Sequence, residues 1–374
     1  MKKLFSTIIC CLICSTAFMQ VKPEWQDETI PFVGKEYPRT AFMTYSNVDK
    51  ARSNDFNTSP DYKSLNGKWK FNWVPSYKKR PMNFYKTDFD DSAWGEIDVP
   101  ANWEVNGYGN ALYTNHPYEF CPRNPQPPLL PEENPVGSYR KYIEIPEQWN
   151  GKEIFLHIGA VKSGCYLYVN GTKVGYSEDS KTAVEYNITR YLKPGRNLIA
   201  LEVYRWSTGS YLECQDFWRI SGIERDVYLF AQSPVHLRDF SIRQDLDSTY
   251  KNGLFGLDLF LVNANPRQTA QATVSYQLES TSGTRVAEGT QTIKIDSIAT
   301  VHFDAKIAQV APWTAETPNL HQLFIRIEQP GKNPEIIPFR VGFRKLEIRG
   351  NQFLVNGRAV LIKGVNYHEH NEHT

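Results

Sequence analysis

The sequence predicts a mainly β protein made of two successive sandwiches, a jelly roll followed by an immunoglobulin-like domain. Three observations carry this. Apolar residues alternate with a period of two along most of the chain, and long stretches of helical period are absent. Short strand-like runs are punctuated by turn residues, the pattern of a sandwich or jelly roll. The chain has 374 residues, and ~150 residues per domain as a soft prior gives two or three domains.

The first stretch, "MKKLFSTIICCLICSTAFMQ", has two lysines, an apolar run too short to span a bilayer, and small residues ending at Ala17. It reads as a secretory signal peptide over residues 1–20, so the mature chain is expected to be secreted or periplasmic. Cleavage there removes Cys10, Cys11 and Cys14 and leaves Cys121, Cys165 and Cys214. An odd number without tight spacing does not describe a disulfide framework, and buried or incidental thiols are expected.

Residues 21–232 read as the first sandwich. "KYIEI" (141–145), "EIFLHI" (153–158) and "LIALEVYRW" (198–206) are expected strands with one buried face. "CYLYVNGTKVGYS" (165–177) reads as a hairpin, because Asn170-Gly171 accepts the positive φ of a type I′ turn. Pro234 marks a break, and residues 233–342 read as the second sandwich. In that stretch Leu257, Leu259 and Leu261 alternate with other residues, and "TVSYQL", "TVHFDA" and "LFIRIEQ" follow at regular intervals. Residues 343–374 contain a hairpin turn at Asn356-Gly357 and then an apolar strand, "AVLIKGVN".

Basic and acidic side chains nearly cancel, at +1, so no global field attracts nucleic acid or a membrane surface. Beyond the leader, no segment is apolar for long enough to cross a membrane. Aromatic content is 13%, with 9 Trp and 21 Tyr, which suits strands and also suits stacking on the C–H face of a sugar.

Among candidate constellations, the terminal "HEHNEHT" breaks the His-Glu-x-x-His pattern, since the fifth position from His368 is Glu372. Coming after a strand, His368 and His370 face one side together. "VPANWEVNGYGNALYTN" (99–115) is a loop dense in Trp, Tyr, Asn and Gly. "RWSTGSYLECQDFWRISGIERDVYL" (205–229) places Glu213, Gln215, Asp216 and Trp218 in a short irregular stretch. An acid beside an aromatic there either grips sugar hydroxyls or caps a turn. No nucleophile elbow, phosphate loop or dinucleotide fingerprint is present.

Several strings taken together resemble the β-galactosidases of glycoside hydrolase family two. They are "SLNGKWKFNW", "DDSAWGEIDVPANWEVNGYG", "LYVNGTKVGYSEDS", "RWSTGSYLECQDFWRISGIERDVYL", "PWTAETPNLH", "VGFRKLEI" and "NGRAVLIKGVNYHEHNEH", in the family's order from about Glu24 to Thr374. Related β-glucuronidases and β-mannosidases share the architecture. The resemblance implies a galactose-binding-like jelly roll, an immunoglobulin-like sandwich, and the first strand of an incomplete (β/α)8 barrel beginning in residues 343–374. It implies retaining hydrolysis of terminal non-reducing β-D-galactose residues by two glutamates, which match no residue of this chain and are expected beyond Thr374.

By the same resemblance, Asn102, Asp216 and His368 are substrate-binding residues, with Asp216 also a sodium ligand. The fragment itself is expected to bind no cofactor, magnesium and sodium being implied for the full-length enzyme. The implied partners are β-galactoside sugars, and the full-length enzyme has room for homo-oligomeric assembly. The leading reading is therefore the N-terminal portion of a β-galactosidase, inactive by itself. The alternative is a non-catalytic carbohydrate-binding module, and a third reading is a fragment that docks on a barrel-bearing chain.

Overall fold

The computed structural model describes residues 22–213 and 216–367. The predicted leader, Cys214, Gln215 and His368 lie outside the described residues. Two antiparallel sheets form the first sandwich. Seven strands make the larger one, in the order Phe32–Val33, Thr172–Ser177, Gly164–Val169, Arg196–Tyr204, Val136–Glu144, Gly67–Val74 and Gly95–Val99. Val184–Asn187, Glu153–Ile158, Val227–Gln232 and Tyr62–Ser64 make the smaller one. Asn170 and Gly171 have φ of 50° and 87°, as the predicted hairpin turn requires. Trp69, Leu156, Leu167, Leu201 and Leu229 meet in the core between the sheets.

The expected one-sided burial does not hold for the central strands. Every residue of 154–158 and 197–204 is buried. The reason is the segment that precedes Tyr62, which wraps the outer faces of both sheets. Trp25 stacks on Tyr204 at 4.8 Å and packs with Val136, Tyr166 and Tyr176 over the larger sheet. Met43 and Tyr45 pack with Phe155, Tyr228 and Phe230 over the smaller sheet, and the same cluster takes in Phe324 and Ile336 of the second sandwich. Tyr45 also pairs with Ile336 by backbone hydrogen bonds of 2.8 and 2.9 Å, so this strap fastens one unit to the other.

Val235–Leu246, Gly253–Asn263 and Ile298–Ile307 form one sheet of the second sandwich. Arg285–Ile295, Ala270–Glu279, His321–Glu328 and Glu335–Val341 form the other, all antiparallel, in an immunoglobulin-like arrangement. Leu257, Leu259 and Leu261 are fully buried, as their alternation implies. Arg285–Ile295 carries little apolar alternation because it is an edge strand whose residues are mostly solvated.

After it, Leu346–Arg349, Gln352–Val355 and Arg358–Ala359 form a small meander around the Asn356-Gly357 turn. The expected strand through "AVLIKGVN" stops at Arg358–Ala359. Val360 adds one bond to Phe353, and residues 361–367 are exposed and belong to no strand. A parallel barrel strand takes its bonds from neighbours on either side, and no such neighbour is among the described residues. No helix among the described residues is long and apolar enough to cross a membrane.

One largely buried charge ties the strap down. Glu185 accepts from Arg39 at 2.8 and 3.0 Å in a two-pronged contact, and His157 Nδ1 lies 3.0 Å away on the adjacent strand. Burial opposes ionisation of Glu185, but the hydrogen bonds and charge of His157 and Arg39 outweigh it and hold the carboxyl down at about 2, from 4.5. A depressed carboxyl contributes stability that is complete above its unfolded pKa and lost as pH falls toward its folded one. The contribution is on the order of 3 kcal/mol. Glu185→Gln is therefore expected to flatten the fall in thermal midpoint between pH 4.5 and pH 2. Parallel falls in the two proteins would contradict this account.

Candidate functional site

The two loops singled out by the sequence run side by side. Ala101–Asn102 pairs with Gly222–Ile223, and Leu112–Thr114 pairs with Phe217–Arg219. Gly222 also pairs with Lys162 on its other side, so Asn102 and Lys162 flank it in register. Consecutive strand residues point to opposite sides, so Trp218 lies with Tyr113 on one side of the Phe217–Arg219 strand, while Phe217 lies with Arg219 and Lys162 on the other.

Trp103 anchors the first loop. It is fully buried, donates its indole N–H to the Tyr139 hydroxyl, and rests on Gly137. A Cβ at Gly137 would sit 2.6 Å from Trp103 Cζ2 and 2.9 Å from Phe71 Cε2. The next residue, Glu104, is buried and accepts from the Ser221 N–H at 2.8 Å, which links the two loops. Its other oxygen lies 3.4 Å from Arg205 Nη1, close enough for charge attraction but not aligned as a hydrogen bond. Burial pushes this carboxyl above its ordinary range, and Arg205 opposes the rise.

Asn102 is half-buried, and its amide donates to Ser221 O at 3.3 Å and to Glu224 Oε1 at 3.4 Å. Glu224 in turn pairs with Lys181, whose ammonium lies 5.4 Å from the Phe217 ring centre. Lys162 and Arg219 lie 4.7 and 4.9 Å from the same ring. Each cation is attracted by the ring quadrupole, while the three charges repel one another. Burial, with Lys181 beside it, holds the Lys162 amine below its ordinary pKa. Arg219 is buried and stands 3.5 Å from Glu119, which also accepts the Trp206 indole N–H at 2.9 Å.

Asp216 is half-buried and accepts from the Tyr113 hydroxyl at 2.9 Å. Trp218 packs edge-on to Tyr113 at 5.4 Å. A run of contacts leads from Asn102 through Glu224 and Lys181 to the ring of Phe217, the residue that follows Asp216 in the chain. Glu213, an alternative acid of the same stretch, braces a neighbouring loop by accepting from the Ser180 N–H at 2.6 Å. His368 lies outside the described residues. Lys162, Lys181 and Glu224 were not candidates from sequence, because a lysine or glutamate beside a strand reads as solvated surface.

Among the described residues no group of three or more His, Cys, Asp or Glu is placed to share a metal ion. Hard cations take about six or more oxygens. Such ions also draw on carbonyl and amide oxygens, and sodium at Asp216 rests on the resemblance alone. Of the cysteines, Cys165 is buried in the core and Cys121 is half-buried, both as free thiols.

The model for the glycosyl hydrolases family 2 sugar binding domain matches residues 62–233, and that for glycosyl hydrolases family 2 matches residues 235–344. The chain belongs to glycosyl hydrolases family 2. A β-galactosidase of Priestia megaterium is 36% identical over 353 residues, covering 93% of this family 2 chain and 34% of that protein. One from Halalkalibacterium halodurans is 38% identical over 314 residues, covering 83% of this chain and 30% of that protein. The chain thus spans about a third of the length of the curated relatives it matches. Among solved structures, Bacteroides uniformis β-glucuronidase 2 superposes with a TM-score of 0.67 at 22% identity, over 81% of this chain and 35% of that one. A family 2 member from Bacteroides cellulosilyticus gives 0.62 at 22% identity, over 80% and 38%. At that identity the likeness is one of fold.

Gly137→Ala is expected to cost about 1–3 kcal/mol, because the methyl meets two aromatic rings that cannot both retreat. Denaturant unfolding measures it. A change within about 0.5 kcal/mol, the range of an ordinary surface substitution, would show that Trp103 is not seated as described.

Proposed function

We propose that the chain supplies the substrate-contacting sandwiches of a retaining β-galactosidase acting on terminal β-D-galactose residues. The observation that carries this reading is that the loops holding Asn102 and Asp216 pair with each other, Ala101–Asn102 with Gly222–Ile223 and Leu112–Thr114 with Phe217–Arg219. Relatives named β-galactosidase support the choice of sugar. Asn102 offers an amide and Asp216 a carboxylate to sugar hydroxyls, and each such hydrogen bond contributes about 1–3 kcal/mol. His368 joins them by resemblance.

Cleavage with retention needs two carboxyls about 5 Å apart on opposite faces of the sugar. The resemblance matches that pair to no residue of this chain, so its part is binding and orientation, in a secreted or periplasmic enzyme. The magnesium and sodium of the full-length enzyme belong to the same proposal. The alternative, a binding module without catalysis, draws on the sugar-binding description of the first family model.

Two measurements test the reading. The purified chain is expected to release no nitrophenol from nitrophenyl β-galactoside above a protein-free control; clear turnover would overturn the proposal. Joined to the remaining two thirds of the Priestia megaterium β-galactosidase, it is expected to support hydrolysis. In that chimera Asp216→Ala should lower kcat/KM about 10- to 100-fold, about 1.4–2.7 kcal/mol of transition-state stabilisation. An unchanged kcat/KM would remove Asp216 from the substrate site.

A further inference from the structure

Asn102 ends in an amide with two donor hydrogens on one side and an acceptor oxygen on the other, so the way it is turned decides what a ligand meets there. Two neighbours fix the turn. Nδ2 stands 3.3 Å from the Ser221 carbonyl oxygen and 3.4 Å from Glu224 Oε1. A carbonyl and a carboxylate accept and do not donate, so reversing the amide would set Oδ1 against two oxygens. Both contacts are long, but they act in the same sense, and the carboxylate adds charge to one of them. Among the described residues no donor reaches Oδ1, and that oxygen is not sealed from solvent.

Glu224 divides its two oxygens between two partners. Oε2 takes the Lys181 ammonium, and Oε1 takes the Asn102 amide. The Glu224 side chain is 13% exposed and that of Lys181 52%, so the lysine meets the carboxylate from the solvent side and the asparagine from within. Arg225, the next residue, donates to the Lys181 carbonyl at 3.1 Å and keeps that turn beside the strand end. A bond from an ammonium is stronger than one from a neutral amide, so Lys181 has first claim on an oxygen. A glutamate satisfies both donors. A glutamine, with a single acceptor, satisfies one.

We propose that Glu224, held by Lys181, is a positioning residue that turns the Asn102 amide so that its oxygen faces the ligand. The proposal rests on the galactosidase reading, in which Asn102 meets substrate, and deepens it by giving that contact a direction. A sugar hydroxyl donates to Asn102 rather than accepting from it. The Asp216 carboxylate also accepts only, so both contacts select hydroxyls with a proton to give. An ether oxygen or a fluorine at the same carbon satisfies neither.

The test uses the chimera with the Priestia megaterium portion. Asn102→Ala checks the contact itself and is expected to lower kcat/KM about ten-fold. Glu224→Gln is expected to lower it by a similar factor, because Lys181 takes the one acceptor and leaves an N–H toward Asn102. Adding Lys181→Met to Glu224→Gln frees that acceptor, and most of the loss is expected to be recovered. A residue that only supported the fold would lose more when a second contact is removed. Independently of turnover, the side-chain amide resonance of Asn102 in the chain, identified by its absence from Asn102→Ala, is expected to move in Glu224→Gln and to return in the double variant. If Asn102→Ala lowers kcat/KM and Glu224→Gln leaves it unchanged, the proposal fails and the galactosidase reading stands. If Asn102→Ala has no effect, Asn102 leaves the substrate site, and the proposal fails together with that part of the reading. A loss that the double variant does not recover, or a resonance that Glu224→Gln leaves in place, would also overturn the proposal.

Discussion

Glu185 is the largely buried charge that holds the strap on which the assembly of the two sandwiches turns. A carboxylate taken out of water is destabilising unless it is paired and hydrogen-bonded, and removing one partner of such a group leaves the other charge stranded. Arg39 supplies the pairing from the strap, and its guanidinium also lies 4.5 Å from the Phe42 ring centre and 4.7 Å from that of Phe230. The same residue therefore meets a charge, the edge of the second core and the outer face of the first. With the strap in place, Tyr45 pairs with Ile336, and Arg52 forms a two-pronged contact with Glu279 at 2.7 and 3.0 Å. An interdomain cleft follows from this geometry, since Thr44 and Tyr45 form one of its walls.

The candidate sugar face shows the same logic on a smaller scale. Asn102 is not presented by a free loop. Its neighbour Trp103 is sealed in the core, its carbonyl accepts from Asn106 at 2.8 Å, and its amide meets Glu224. Side chains meant to meet a ligand gain precision when further contacts hold them, because less freedom is lost on binding. The aromatic and cationic cluster around Phe217 serves Asp216 in the same way, being one residue away along the backbone.

Local features were legible in the sequence. The Asn170-Gly171 hairpin, the 153–158 strand and the leucine alternation at 257–261 depend on neighbours a few residues away, and each appears where the pattern indicates. Arg285–Ile295 was not legible, because an edge strand that buries only Ile295 fully and is largely solvated elsewhere carries little alternation to read. The second burial of the 154–158 and 197–204 strands was not legible either, since the residues that cover them belong to a segment more than a hundred positions earlier. Asn102 and Asp216 emerged from resemblance rather than spacing. Lys162 and Glu224 emerged only when three short strands brought them beside the same ring and amide.

By itself the sequence determined the strand class, the turns, the two-unit organisation and a surface without a net field, because period, turn φ and charge are set by neighbouring residues. Only the tertiary structure decided which faces are doubly covered, which acid is held ionised, and which way the Asn102 amide is turned. Those outcomes depend on contacts across long stretches of chain, where the sign of a buried charge's contribution is fixed by partners the local pattern does not name.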